Sequence, residues 1–142
     1  MIRFAYFAAL LFASPALAAS PLEGNWTNPG GSVTVRIAPC GRLLCGRVIK
    51  ASPSAIEKSA AAGTRLIGAE LMSGLEPVGQ GAWRGSFFVP DRNVRADGEV
   101  HLLSARTLEV EGCAMAGLLC KSQQWTRVSA PAPQARKRRL VR

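Results

Sequence analysis

Four cysteines are the residues of this sequence whose type and spacing could do chemistry. Cys40 and Cys45 lie in the stretch CGRLLCGRV, and Cys113 and Cys120 lie in EGCAMAGLLCK. Paired thiols can hold zinc, exchange electrons or close into structural disulfides. A redox pair is typically Cys-x-x-Cys, which is absent, and zinc ligand pairs usually sit in tight knuckles, with no histidine near these cysteines. The spacing therefore favours disulfides, and we expect no metal site.

Other candidate catalytic groups are few. His101 is the only histidine, and it falls in a strand-like stretch with no visible partner for general-base catalysis. No Gly-x-Ser-x-Gly elbow, phosphate-binding loop or His-Glu-x-x-His motif is present. Residues 91–99 resemble a calcium loop, but Arg95 stands where a ligand is needed, so we interpret them as a turn-bearing loop. The sequence predicts a protein that is not an enzyme and has no cofactor.

The N-terminus sets the chemical environment of the cysteines. A positive charge is followed by an apolar run over residues 4–13 and then by the small-residue pattern at 16–18. This order is typical of a secretory signal peptide, cleaved after Ala18 or Ala19. The apolar run has about 10 residues, whereas a membrane-spanning helix needs about 20. We therefore expect a periplasmic or secreted protein with no transmembrane segment after the signal is removed.

Export favours disulfides because oxidising compartments pair thiols. If residues 42–43 form a two-residue hairpin loop, Cys40 faces Cys45 at a non-hydrogen-bonded site, where the Cα atoms lie within bridging distance. A four-residue loop at 115–118 would place the second pair in the same relation. We predict the local pairs Cys40–Cys45 and Cys113–Cys120, with the two crossed connectivities still open at this point.

Alternating apolar residues predict strands along most of the chain. In SVTVRIA, for example, Val35 and Ile37 fall on one face, while the threonine and arginine fall on the other. Turn formers such as residues 28–31 and Asp97-Gly98 separate the runs. The predicted strands are 24–28, 32–38, 43–51, 68–76, 82–89, 99–104, 107–111 and 118–128. This order predicts an all-β fold, a single antiparallel up-and-down meander of eight strands that can close on itself.

Two segments depart from the strand pattern. Residues 52–64 are alanine-rich and suit either a short helix that begins after Ser52-Pro53 or a polar loop across one end of the sheet. Residues from Ser129 onwards have prolines and cations without hydrophobic periodicity, which predicts disorder. The chain is thus divided into a signal peptide (1–18), a β-domain (21–128) and a disordered basic tail (129–142).

The tail carries much of the formal net charge of +9. Its cations would attract an anionic envelope surface through counterion release, and the alternative is a solvated tail without a specific partner. No aromatic residue that could stack on bases is present in the tail, so nucleic acid is not an expected partner. The cations concerned are Arg136, Lys137, Arg138, Arg139 and Arg142.

Several motifs occur together in an order found in a known family. They are Gly24-Asn-Trp26, CGRLLCGRV, Arg65-Leu-Ile-Gly68, Ala82-Trp-Arg-Gly85, Thr107 to Cys113 and Gln124-Trp-Thr-Arg-Val128. In these motifs residues 21–128 resemble the bacterial domain-of-unknown-function family 2147, a group of small exported proteins. The resemblance implies a lipocalin-like, or calycin, barrel. Residues 54–64 and 93–96 depart from the family's usual motifs, so function would differ here if those segments form the functional rim.

Lipocalin-like barrels are closed at one end by a tryptophan near the start and an arginine of the last strand, here Trp26 and Arg127. We predict that the guanidinium of Arg127 stacks on the indole, with a cation–π attraction of about 0.5–2 kcal/mol. In the alternative, Trp26 is a simple core residue and Arg127 is exposed.

The leading functional hypothesis is a non-enzymatic binding protein that holds a small apolar or lipid-like molecule in a narrow barrel. The candidate lining residues, which would be core residues first and ligand contacts second, are Val35, Ile37, Leu102, Leu108 and Val110. The alternative is a filled barrel that contacts an envelope component or a protein partner, for example as an inhibitor, through its loops and basic tail.

Overall fold

The computed structural model describes residues 19–114 and 119–128, which form a closed antiparallel barrel of eight strands and one short helix. Strands adjacent in sequence pair with each other, and β1 pairs with β8 to close the ring. The elements are β1 (Gly24–Thr27), β2 (Val33–Cys40), β3 (Leu43–Ala51), α1 (Pro53–Ala61), β4 (Glu70–Gly79), β5 (Ala82–Val89), β6 (Val94–Ser104), β7 (Thr107–Ala114) and β8 (Leu119–Arg127). The predicted eight-stranded up-and-down barrel is confirmed.

Three predicted segments lie outside the described residues. They are the signal peptide (1–18), the loop at 115–118, and the tail (129–142) with its five cations. Within 19–114 and 119–128, no helix has both the length and the apolar character needed to cross a membrane.

The two ends of the barrel carry different connections, because antiparallel strands bring every second turn to the same end. We call the end with α1, the β1–β2 turn and the β5–β6 turn the upper end. The lower end carries the β2–β3, β4–β5 and β6–β7 turns, together with the N-terminal residues that precede β1.

β6 is longer than the sequence predicted. It begins at Val94, whereas the sequence predicted a turn up to Gly98 and a strand only from Glu99. The turn is confined to residues 90–93. A side chain at Gly98 would collide with the Glu111 carbonyl oxygen across the sheet, so this glycine allows close packing in mid-strand and does not form a turn.

The β2–β3 hairpin also corrects a prediction. The sequence predicted a loop at 42–43 with Cys40 directly opposite Cys45, but the loop starts one residue earlier, at Gly41, and Cys40 lies opposite Leu43. Gly41 has a φ of 72°, which is the positive φ that a II′ turn requires at its first loop position. Turn chemistry at this glycine therefore sets the register.

Helix α1 follows β3 and covers part of the upper end. The Ser52 hydroxyl caps it by accepting a hydrogen bond from the Ala55 backbone N–H (3.1 Å), and Pro53 occupies the first turn, where it displaces no helical hydrogen bond. Ala55 and the buried Leu66, just after the helix, pack against the barrel core. Of the two forms predicted for 52–64, the structure has the helix.

The lower half of the barrel is filled with side chains. Gly46 lets β4 approach closely, since a Cβ there would lie 3.1 Å from the Sδ of Met72. Large apolar side chains from seven strands meet around this level and are at most 9% exposed; they are Trp26, Val35, Ile37, Leu44, Leu75, Trp83, Val100 and Leu108. This dense packing makes the lower half of the barrel rigid, so that it can support a site at the upper end.

Candidate functional site

Trp26 lies at the floor of the barrel. It is fully buried (0% exposed), and its Nε1 donates a hydrogen bond to the Leu22 carbonyl oxygen at 2.9 Å. Leu22 is also fully buried, in the turn that precedes β1. A buried indole needs a partner for its N–H, and the preceding turn supplies it locally.

Arg127 covers this floor from outside. Its guanidinium carbon lies 4.2 Å from the centroid of the Trp26 ring. The Nη1 and Nη2 atoms donate to the carbonyl oxygens of Glu23 (2.7 Å) and Pro21 (2.6 Å), and Nε donates to the Ala105 carbonyl (2.7 Å). One guanidinium thus joins the N-terminal segment, the β6–β7 turn and β8, in the stacked placement that the sequence predicted.

The four cysteines form two disulfides, Cys40–Cys45 and Cys113–Cys120, on the outer face of the barrel. The first links two strands diagonally across the β2–β3 hairpin, whereas in the second the two cysteines lie directly opposite each other. A disulfide between opposite residues fixes the register of β7 and β8. That matters because a slip of one residue would turn every side chain of β8 to the other face.

We expect the protein from an oxidising expression host, denatured without reductant, to show close to zero thiols that react with an alkylating agent. Reduction before alkylation should expose all four, and intact-mass measurement would count them. Reactive thiols without reductant, accompanied by bound zinc, would contradict the disulfide assignment.

His101 faces outward from β6 and has a partner that the sequence analysis missed. Its Nε2 lies 3.0 Å from a carboxylate oxygen of Glu99, two residues away on the same face. Glu99 also accepts a hydrogen bond from Arg84 on β5 at 2.8 Å. The Arg84 hydrogen bond, together with the charges of Arg84 and His101, keeps the pKa of Glu99 below its usual value. The three side chains form a cross-strand charge cluster on the outer surface.

Three glycines form a row across the inner face of β5, β6 and β7. Gly85 lies opposite Gly98, and Gly98 lies opposite Gly112. A Cβ at Gly85 would meet the backbone of β4, and one at Gly98 would meet the Phe87 ring. At Gly112, among the described residues, it would meet only the Cβ of Ala96, at 4.0 Å. Along this row the interior therefore changes from filled to open.

The open region lies at the upper end, beside β5 to β8. Val89 and Val94 pair with each other and face inward by strand alternation from the buried Phe87, yet they are 36% and 49% exposed. Helix α1 covers the opposite side of this end. We call the opening the mouth and define it by six inward-facing residues: Val89, Val94, Ala96, Gly112, Lys121 and Gln123.

β8 contributes the polar side of the mouth. Trp125 faces inward and is 7% exposed. The β7–β8 pairing is regular, so Gln123 and Lys121 face inward as well, and both are exposed. The Trp125 Nε1 donates to the Gln123 side-chain oxygen at 3.3 Å, while Lys121 lies one level higher, opposite Gly112.

The five residues predicted to line the barrel divide into two groups. Val35, Ile37 and Leu108 are at most 1% exposed and belong to the filled lower half. Leu102 and Val110 are half-buried and pack against that core, and Val110 lies directly below the level of Gly112 on β7. Only Val110 is therefore next to the mouth.

The upper end also holds both segments in which the sequence departs from the pattern of the family that it resembles. Residues 54–64 form most of α1, and residues 93–96 begin β6 at the mouth. A shallow cleft beside α1 includes the exposed Ile56 and Ile67 next to Arg65, but it lies outside the barrel. The mouth is formed by inward-facing residues of the barrel itself, so we take it as the candidate site.

Sequence reasoning missed Lys121 and Gln123, although the sequence contained a signal. In KSQQW both residues stand at even spacing from Trp125, so if the tryptophan faces the interior they must face it too. Polar residues at inward positions are unexpected in a barrel core. They indicate positions whose role is something other than core packing.

Comparisons with known proteins agree with this architecture. A family model described as an uncharacterized protein conserved in bacteria, DUF2147, matches residues 24–127. Among solved structures, the chain is similar to protein HP1028 from the human pathogen Helicobacter pylori, described as belonging to the lipocalin family, with a TM-score of 0.60 and 16% identity over 76% of this chain and 83% of that one. Among curated proteins nothing matches. At this identity the structural match shows the fold alone.

Proposed function

This chain belongs to the DUF2147 family of uncharacterized bacterial proteins, and we propose that it is an exported, non-enzymatic protein that binds a small apolar or lipid-like molecule in the mouth of its lipocalin-like barrel. The mouth would accept the apolar part of the molecule between β5 and β8. The packed lower half would serve as a rigid support and would not open.

One observation carries the proposal: inward-facing side chains are solvent-exposed at the upper end, whereas those below it are buried or half-buried against the core. Val89 and Val94 expose apolar surface to the mouth, and Phe87 and Trp125 lie beneath them at 8% and 7% exposure. Apolar surface that remains exposed on a concave site is typical of ligand-binding pockets. The two disulfides add support for export, since such bonds persist in oxidising compartments.

Filling the mouth should abolish binding without unfolding the barrel. In Gly112→Phe the new ring would occupy the space above Val110, where a Cβ meets no atom closer than 4.0 Å. We expect the parent to bind decan-1-ol in a calorimetric titration and the variant to lose at least about tenfold in affinity, which is about 1.4 kcal/mol.

The matched control is Ser122→Phe, which adds the same ring to the outer face of β8. It should bind decan-1-ol like the parent, and both variants should keep the parent's β-sheet circular dichroism. Equal affinities of the parent and Gly112→Phe for decan-1-ol would contradict the proposed function.

A further inference from the structure

The inward face of the upper barrel carries a single charge. Around the mouth, the described inward-facing residues of β5 to β8 are apolar, glycine or an amide, with the exception of Lys121, whereas the Arg127 guanidinium lies at the floor. The acidic residues of these strands, such as Glu99, Glu109 and Glu111, alternate to the outer face. The mouth therefore has a positive charge and no acidic group of its own to neutralise it.

Lys121 is also free to reach a ligand. Within the described part of the chain, no ion pair or hydrogen bond of its ammonium group is found, and the side chain is exposed. Gly112, directly opposite, and the nearby Ala96 leave room beside the lysine stem. A long flexible stem in open space lets the ammonium group reach the rim while its methylenes line the apolar wall.

The amide of Gln123 provides a second polar group at the same place. Its oxygen accepts the indole N–H of Trp125, which leaves the amide N–H₂ as a donor at the mouth. The site is therefore positive at the rim, where the Lys121 ammonium and the Gln123 amide lie. It is apolar below, where the Trp125 indole and the valines form the wall.

We propose that the mouth binds an anionic amphiphile, a carboxylate or phosphate head group on an apolar chain, with Lys121 as the residue that recognises the head group. This inference rests on the proposed function, because the apolar chain would occupy the same mouth. Hydrogen bonds to charged groups are stronger than neutral ones, so Lys121 would select among amphiphiles of equal apolar length.

The Cys113–Cys120 disulfide supports this assignment. The two cysteines are the outward-facing neighbours of Gly112 and Lys121, and the bond joins directly opposite residues of β7 and β8. A slip of one residue would move Lys121 to the outer face. The disulfide thus holds the charge inside the mouth.

The test compares sodium decanoate, decan-1-ol and decylamine, which share one chain length, by calorimetric titration of the protein at neutral pH. We expect decanoate to bind about tenfold more tightly than decan-1-ol, and decylamine to bind more weakly than both. In Lys121→Gln the preference for decanoate should disappear while decan-1-ol binds as before. The control Lys50→Gln removes an outward-facing cation of β3 and should keep the preference.

Outcomes separate the two proposals. If decan-1-ol and decanoate bind the parent equally, or if Lys121→Gln keeps the preference, the head-group assignment is wrong while the binding function stands. The preference for decanoate over decan-1-ol could also vanish at high salt in the parent and yet persist in Lys121→Gln. The carboxylate would then bind exposed cations elsewhere, and the assignment of the head group to Lys121 would be wrong. If none of the three compounds binds, the proposed function itself fails.

Discussion

Replacement of Trp26 by alanine is expected to lower the free energy of unfolding by about 3–5 kcal/mol. The indole is fully buried at the floor of the barrel, where its Nε1 donates to the Leu22 carbonyl oxygen and the Arg127 guanidinium lies over its ring. Hydrogen bonds to backbone carbonyls hold both Arg127 and the N-terminal turn, so these groups cannot collapse into the cavity that alanine would leave. The measurement is equilibrium denaturation with the disulfides intact.

The control for this variant is Leu103→Ala, which shortens an apolar side chain that is 52% exposed on β6. Surface truncations of this kind change stability by about 0.5 kcal/mol or less. A Trp26→Ala protein that unfolds at the same denaturant concentration as the parent would be incompatible with a buried indole at the floor.

A methyl group at Gly98 should be the second most damaging small change, with an expected loss of about 3 kcal/mol, the upper end of the usual cost of overpacking. Its Cβ would collide with the Glu111 carbonyl oxygen of the paired strand and with the Phe87 ring. The carbonyl belongs to the backbone of β7 and cannot rotate away. The strands would have to separate locally, which weakens the ladder on both sides of β6.

Gly112→Ala is the matched comparison, because Gly112 lies directly opposite Gly98 on the same inner row. There the new Cβ would be 4.0 Å from Ala96, an ordinary contact, so we expect a change of about 1 kcal/mol or less of either sign. Thermal or urea denaturation of the two variants side by side would measure the difference. Equal losses at both positions would show that the row is not filled at one end and open at the other.

Local sequence signals favoured the disulfide pairs that the structure has, and the resemblance to lipocalin-like barrels predicted the floor. Cys113 and Cys120 are joined as predicted, because two cysteines only seven positions apart in a hairpin stay within bridging distance. The first pair is joined as well, but its register was wrong by one residue, since the II′ turn at Gly41 starts the loop earlier. Trp26 and Arg127 are stacked as their positions in the first and last strands predicted.

The candidate lining residues show what the sequence did not predict, namely which inward-facing residues are buried and which are exposed. Their alternation correctly placed Val35, Ile37 and Leu108 on the inward face. Inward-facing residues of this barrel, however, lie in two different environments. At the lower end the residues of opposite strands meet and bury each other. At the upper end Val89 and Val94 have the same inward orientation and remain exposed.

By itself the sequence determined the strand order and favoured the local pairing of the cysteines, because period-two alternation, turn residues and short loops act between neighbours along the chain. The closing pair at the floor followed from the resemblance to lipocalin-like barrels. Only the tertiary structure decided which inward positions are filled. That outcome depends on contacts across the barrel, such as the Phe87 ring over Gly98, between residues that no local pattern relates. Among the described residues, packing leaves Gly112 without a contact closer than 4.0 Å and places Lys121 opposite it, so the candidate site is a product of packing.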